Sequence, residues 1–215
     1  MEKIIRRQAS KIARSLGLDA EREAVVAYGL IAIVQITITI LLALLFGFII
    51  GAPVEAMIVC FSVSILRKYS GGAHAHDAEF CTVVSVVYCT IAALVSRLLA
   101  VNHQAVLMLI AIAVVYAAVY WIIYRYCPVD SPNKPIKTEK KIKRMRRGSA
   151  IIVTVYVALQ LLFYHFGGVS AAFRSYGISL LLGVSWQALT LTPIGAILLN
   201  KLNDLPKYFR KEDPR

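Results

Sequence analysis

Charge is absent from most of this sequence. No Asp, Glu, Lys or Arg occurs between Glu23 and Glu55, between Glu79 and Arg97, or between Arg97 and Arg125. The same holds from Arg147 to Arg174 and from Arg174 to Lys201. Crossing a hydrocarbon core as helix takes about 20 apolar residues, and four of these five runs exceed that. With 59% hydrophobic residues and a mean hydropathy of +0.68, the composition excludes an ordinary soluble domain. The four cysteines show no CxxC spacing and none falls in a predicted outer loop, which argues against a disulfide framework or a zinc knuckle. Residues 1–23 contain no continuous apolar core, so they are not expected to be a cleavable signal. There is no internal repeat and no low-complexity stretch. Residues 1–215 therefore read as one integral-membrane domain.

The apolar runs predict an all-α protein with six transmembrane helices, at 24–50, 54–66, 80–100, 105–124, 149–165 and 176–199. The second is short, since 13 residues of helix reach only about 20 Å against a core of about 30 Å. Charge nevertheless favours its crossing. With six crossings and a cytoplasmic N-terminus, 22 of the 24 Lys and Arg lie on the inner side, leaving only Arg97 and Arg174 outside. If the second segment does not cross, the inner side keeps only 8. The positive-inside rule selects the first arrangement, a multi-pass membrane protein with both termini cytoplasmic.

The surplus of basic residues, net charge +12, gathers in juxtamembrane segments of one leaflet. Anionic lipid accounts for it without nucleic acid. At the N-terminus, Ile5, Ala9, Ile12, Ala13 and Leu16 share one helical face and Lys3, Arg7, Ser10 and Arg14 the other, so residues 1–23 are predicted to hold an interfacial amphipathic helix. Residues 125–148 read as a proline-rich and then basic cytoplasmic loop. Three prolines between 128 and 135 forbid regular structure there, and the basic stretch after them is expected to open the next helix.

The most informative interruption of the apolar runs is 67–81, Arg-Lys-Tyr-Ser-Gly-Gly-Ala-His-Ala-His-Asp-Ala-Glu-Phe-Cys. Ionisable groups beside a bilayer are costly, which makes such a cluster a functional site by default. A thiol with an imidazole in reach is the minimal apparatus of a cysteine nucleophile. On one straight helix His74 and Cys81 would be about 10 Å apart along the axis, whereas nucleophile and base need roughly 3 Å. The segment must bend, and Gly71-Gly72 permits that. A third helix starting near His76 or Asp77, with Asp77 as N-cap, would put Cys81 about one turn in, where the dipole favours thiolate. The catalytic segment is thus placed at 67–80, followed by Cys81. Cys60 and Cys89 read as apolar filler, and so does Cys127. His74-x-His76 with Asp77 and Glu79 also has metal-ligand chemistry, but spacing ranks that second and no metal is expected. Gln35, Gln160 and Gln187 read as helix-to-helix hydrogen bonds, and Glu55 as a carboxylate tolerated at the outer end of a helix.

These residues resemble the accessory gene regulator protein B (AgrB) peptidases of Gram-positive quorum sensing. The resemblance rests on Arg67, the Gly-Gly-Ala-His-Ala run at 71–75, a cysteine seven residues after the histidine, and Pro-Val-Asp-Ser-Pro-Asn-Lys-Pro-Ile at 128–136 followed by a basic stretch. It covers essentially the whole chain. It implies a membrane cysteine endopeptidase that removes the C-terminal part of an AgrD-type propeptide through an acyl-enzyme thioester. An internal Cys or Ser of the propeptide would then displace the enzyme, giving a thiolactone or lactone autoinducing peptide. The family's nucleophile maps onto Cys81 and its histidine onto His74, while Arg67 and Gly72 match motif positions with supporting or oxyanion roles. Lys134, Lys140, Lys141, Lys143 and Arg144 are the expected contacts for an acidic propeptide tail. No cofactor is implied. Expected partners are the AgrD-like propeptide, anionic lipid and, as an assembly, a second copy in a homodimer. The competing class is a polytopic transporter or metal permease using the His-x-His segment, although such a protein would place more polar groups at mid-depth. A scaffold or sensor would leave the glycine–histidine–cysteine block without purpose.

Overall fold

The computed structural model describes residues 2–73, 78–102, 104–129 and 138–210. All regular structure in them is helical: α1 (Glu2–Ser15), α2 (Ala20–Ile49), α3 (Pro53–Ser70), α4 (Ala78–Ala100), α5 (Ala105–Tyr126), α6 (Glu139–Gly167), α7 (Ala171–Leu191) and α8 (Pro193–Arg210). Sequence chemistry sets several of the ends. Asp19 caps α2 by accepting from the Arg22 N–H at 2.8 Å. Pro53 opens α3, where its missing N–H costs nothing. Four helices, α2, α4, α5 and α6, are long and apolar enough to cross a membrane, and α7 with the first part of α8 forms a fifth, bent candidate. This is a membrane protein. α3, with Glu55, Arg67 and Lys68 among its 18 residues, does not meet that standard by itself. It is nonetheless longer than the 13 residues expected, reaching about 27 Å.

α7 is the centre of the bundle and packs against α3, α4, α5, α6 and α8. Small residues allow this. At Gly183 a side chain would run into Ser62 and Val59 of α3, and Ser175, Gly177 and Ser179 are also buried. Leu180, Leu181, Val184, Ala188 and Leu191 join Leu66, Tyr116, Val119, Val153 and Tyr156 in the main apolar core. Tyrosines tie the helices across it: Tyr156 donates to the Ser62 carbonyl at 3.0 Å, Tyr116 to the Tyr156 carbonyl at 3.2 Å, and Tyr88 to the Leu182 carbonyl at 2.8 Å. α2 lies outermost with almost none of its length buried, as suits a lipid-facing helix. α1 packs on α2, burying Ala9 and Ala13 and leaving Ile4, Ile12 and Leu16 exposed.

Two of the expected boundaries need correction. The loop does not run as far as residue 148: the basic stretch opens the next helix, as expected, and α6 begins already at Glu139, so Lys140, Lys141, Lys143 and Arg144 lie on its first turns. The sixth span is not one helix. It breaks at Thr192, and α8 leaves at 92° to α7. The cause is Pro193, which has no N–H for the carbonyl four residues back and whose ring would clash with it. That carbonyl, of Leu189, instead accepts from the Thr192 N–H (3.0 Å) and hydroxyl (2.8 Å), and the Thr192 hydroxyl accepts from the Gly195 N–H (3.2 Å) to cap α8.

Candidate active site

α3 and α4 run antiparallel over their full length, and this positions the site. At one end Glu55, near the start of α3, accepts from Arg97 Nε, near the end of α4, at 3.1 Å. At the other end, Arg67 of α3 and Cys81 of α4 border the same recess. Cys81 is the fourth residue of α4. The recess is completed by Ala73, by Val84 and Ser85 one turn beyond Cys81, by Trp186 and Thr190 of α7, and by Leu199 of α8. Trp186 is held by stacking on Tyr88, ring centroids 4.2 Å apart. The 92° bend is what turns Leu199 onto this end of the bundle.

Cys81 is half-buried, whereas Cys60, Cys89 and Cys127 are 2%, 4% and 1% exposed. Of the four thiols, only Cys81 can be approached without opening the fold. Cys127 also faces the Ser149 hydroxyl at 3.3 Å, and burial pushes its thiol up against the smaller opposing effects of Ser149 and Arg146.

The segment after α3 is extended and tied down at nearly every polar group. The Gly71 N–H donates to the Arg67 carbonyl (3.0 Å), and the Ser70 carbonyl accepts from the Val129 N–H (2.9 Å). The Gly71 carbonyl accepts from Gln187 Nε2 (2.8 Å), and the Ala73 N–H donates to the Thr190 carbonyl (2.9 Å). The Arg67 guanidinium donates to the Ala73 carbonyl. Both glycines are required by this geometry. Gly71 has φ +70°, and a side chain there would collide with the Val129 carbonyl. Gly72 has φ +140°, and a Cβ would lie 2.8 Å from Thr190 Oγ1 and 3.2 Å from Gln187 Nε2. These glycines do more than let the chain bend: each is in close approach to a neighbouring segment, Gly71 to Val129 and Gly72 to the end of α7.

Of the residues singled out in the sequence, Arg67, Gly72 and Cys81 therefore converge. His74 follows Ala73 directly, but it lies outside the described residues, as do His76, Asp77 and Lys134. Lys140, Lys143 and Arg144 are exposed and Lys141 is half-buried; none of them lines the recess. Their helix nevertheless starts beside the site, because Gly148 packs under the Tyr69 ring and Arg146 Nε donates to the Cys127 carbonyl at 2.9 Å.

Trp186, Gln187, Thr190 and Leu199 were not anticipated as site residues. The available signal was a glutamine inside an apolar run, read only as a helix-to-helix bond. Gln187 does make such bonds. Gln160 does not: it is fully buried, and among the described residues neither of its amide atoms has a partner. Glu55 is more than a tolerated end charge, being buried between Arg97 and Ser175, whose hydroxyl donates to it at 2.8 Å.

The sequence model of Accessory gene regulator B matches residues 5–191. A putative AgrB-like protein 2 of Clostridium perfringens strain 13 is 38% identical over 208 residues, covering 94% of this chain and 96% of that protein. A putative AgrB-like protein of C. perfringens strain SM101 is 37% identical, covering 91% and 92%. The accessory gene regulator protein B of Staphylococcus aureus strain MW2 is 25% identical over 167 residues, covering 78% of this chain and 74% of its own. No solved structure matches the chain.

Proposed function

The chain belongs to the Accessory gene regulator B family, and on that premise we propose that it is a membrane-embedded cysteine endopeptidase with Cys81 as nucleophile and His74 as base. Membership supports a part in the agr quorum-sensing system and implies interaction with an AgrD propeptide. The observation that carries the finer reading is the accessibility and company of Cys81. It is the one thiol of four that is not buried, it sits in the first turn of a helix, and it shares a recess with Arg67 and with Ala73, the residue before His74.

The chemistry runs as two acyl transfers. His74 takes the thiol proton as Cys81 Sγ adds to the scissile carbonyl. The C–N bond then breaks, the leaving amine takes that proton, and the N-terminal part of the propeptide stays on Cys81 as a thioester. An internal Cys or Ser of the propeptide attacks the same carbonyl, the C–S bond breaks, and the thiol returns with a proton. The thioester conserves the activation needed for ring closure, so water must be kept away. Leu199, Trp186 and Val84 give the recess an apolar wall suited to that. Arg67 serves as electrostatic support: it borders the recess while its guanidinium holds the Ala73 carbonyl.

The six-crossing arrangement with cytoplasmic termini belongs to this proposal. It is supported by the matched ends of α3 and α4, which give α3 the same depth as a helix apolar enough to cross, and by the 22-to-2 division of basic residues. α1 then rests on the inner surface with Ile4, Ile12 and Leu16 toward lipid, and the basic start of α6 faces the cytoplasm, where it receives an acidic propeptide tail. The decisive experiment is co-expression with an AgrD-type propeptide. Cys81→Ala and His74→Ala should each stop processing, and full processing in Cys81→Ala membranes would refute the assignment.

A further inference from the structure

We propose that Gln187 is a positioning residue for the catalytic pair: its side-chain amide fixes the extended segment 70–73 so that the next residue, His74, is delivered to Cys81. This inference rests on the cysteine-endopeptidase reading of the site.

Gln187 is fully buried in α7, and Nε2 donates to both Ser70 Oγ (3.0 Å) and the Gly71 carbonyl (2.8 Å). Arg67 and the Val129 main chain hold this segment from its other sides; on the α7 side, among the described residues, it is held by the Gln187 amide and by the Thr190 carbonyl one turn later. The Thr190 hydroxyl in turn donates to the Gln187 carbonyl at 2.8 Å, which makes the end of α7 one rigid shelf. The last bond on that shelf, Ala73 N–H to the Thr190 carbonyl, holds the residue covalently joined to His74.

Packing alone does not explain a glutamine at this place. Its Oε1 is buried and, among the described residues, has no donor, so the residue leaves an acceptor unsolvated inside the bundle. An unbranched apolar side chain would fill the same space without that penalty. What methionine would lack is the N–H pair that grips the turn. A polar group kept at such a cost near a reactive centre is the signature of a functional rather than a cohesive role. Gly72 fits tightly against the same amide, which leaves the segment no room to slide toward α7.

The test is a double-mutant cycle on the full-length protein in proteoliposomes, with iodoacetamide alkylation of Cys81 at neutral pH as the readout. In the wild-type background, His74→Ala should slow alkylation by roughly 10- to 100-fold. In the Gln187→Met background the same replacement should change the rate less than about threefold, because the imidazole is already out of reach. Propeptide turnover by Gln187→Met should lose kcat by a similar factor with KM within about twofold. If Gln187→Met leaves the full effect of His74 intact, the residue is only a structural bond and the inference fails. If His74→Ala has no effect even in the wild-type background, the catalytic pair itself is wrong and the inference falls with it. Should Gln187→Met not accumulate, Gly72→Ala displaces the segment from the same amide and must abolish the His74 effect in the same way; retention of that effect would overturn the proposal.

Discussion

The two ends of the bundle use their polar groups differently. At the end where α2, α4 and α6 finish, the polar residues close helix termini. Arg97 binds Glu55 and the Gly51 carbonyl, and Arg174 donates to the Ala100 carbonyl (2.8 Å) and the Gly167 carbonyl (2.8 Å). Cations on C-terminal carbonyls satisfy groups that have no partner within their own helices and complement the helix dipoles. At the opposite end the polar groups hold a non-helical segment in place. Arg67, Gln187 and the Thr190 and Val129 main chains grip residues 70–73 beside the accessible thiol. The first set of contacts makes helices end well; the second makes a loop hold one conformation. On the proposed function, stability and chemistry fall to different ends, and substitutions should separate them.

The sharpest separation is expected at Cys81. Cys81→Ala should abolish propeptide processing, whereas Cys60→Ala, Cys89→Ala and Cys127→Ala, at buried sites, should keep most of it. His76→Ala should have a modest effect compared with His74→Ala. Labelling of the intact protein with iodoacetamide should mark Cys81 first, and Cys127 should lag because burial both covers its thiol and pushes it up. Mass spectrometry of the labelled peptides reads both outcomes. Dominant labelling at Cys127 would break the contrast.

If the ends lie on opposite sides of the membrane, a cysteine introduced at Val101 or Val169, both exposed, should react with an impermeant maleimide from outside, and one at Lys140 only after permeabilisation. A thiol at 140 that labels from outside would reverse the assignment of the two ends.

A smaller effect is expected at the Glu55–Arg97 end. Arg97→Gln leaves the Glu55 carboxylate buried with Ser175 as its remaining donor. Half of the Arg97 side chain is exposed, so the loss should be modest, about 1–2 kcal/mol. That corresponds to a fall of a few degrees in Tm for a domain of this size. Alkylation of Cys81 should be unchanged below the transition. A slower Cys81 with an unaltered Tm would mean that the ends are coupled rather than divided in labour.

Much of this plan was legible in the sequence because charge marks where apolar helices stop. α4 and α5 fall within two residues of the spans 80–100 and 105–124 read from the sequence. The α7–α8 break was missed because Thr192 and Pro193 sit inside an uncharged run, and a membrane helix can tolerate proline where neighbours satisfy the freed backbone. Here a threonine hydroxyl does so by starting a new helix. The site was half legible. Arg67, Gly72 and Cys81 stand within one short segment, so their proximity follows from the chain. Gln187 and Leu199 come from more than 100 residues away, and only the packing of α7 on α3 brings them in.

The weakest expected effect concerns the basic start of α6, which does not line the recess around Cys81. Lys140, Lys143 and Arg144 are exposed, so each pairing with an acidic propeptide tail contributes only about 0–1 kcal/mol, and single substitutions should hardly register. Replacing Lys140, Lys141, Lys143 and Arg144 together by Gln should raise the KM for propeptide by roughly three- to tenfold at low ionic strength. The difference should vanish near 1 M salt, where the screening length falls to about 3 Å. Because these charges also help to fix orientation, the variant's topology must first be verified by the labelling described above. Its Cys81 alkylation rate should match wild type, since no residue of this run borders the recess. A KM that stays at the wild-type value at low salt would leave these residues with orientation and lipid attraction as their whole function, and the propeptide would then have to be held by the recess and the loop alone.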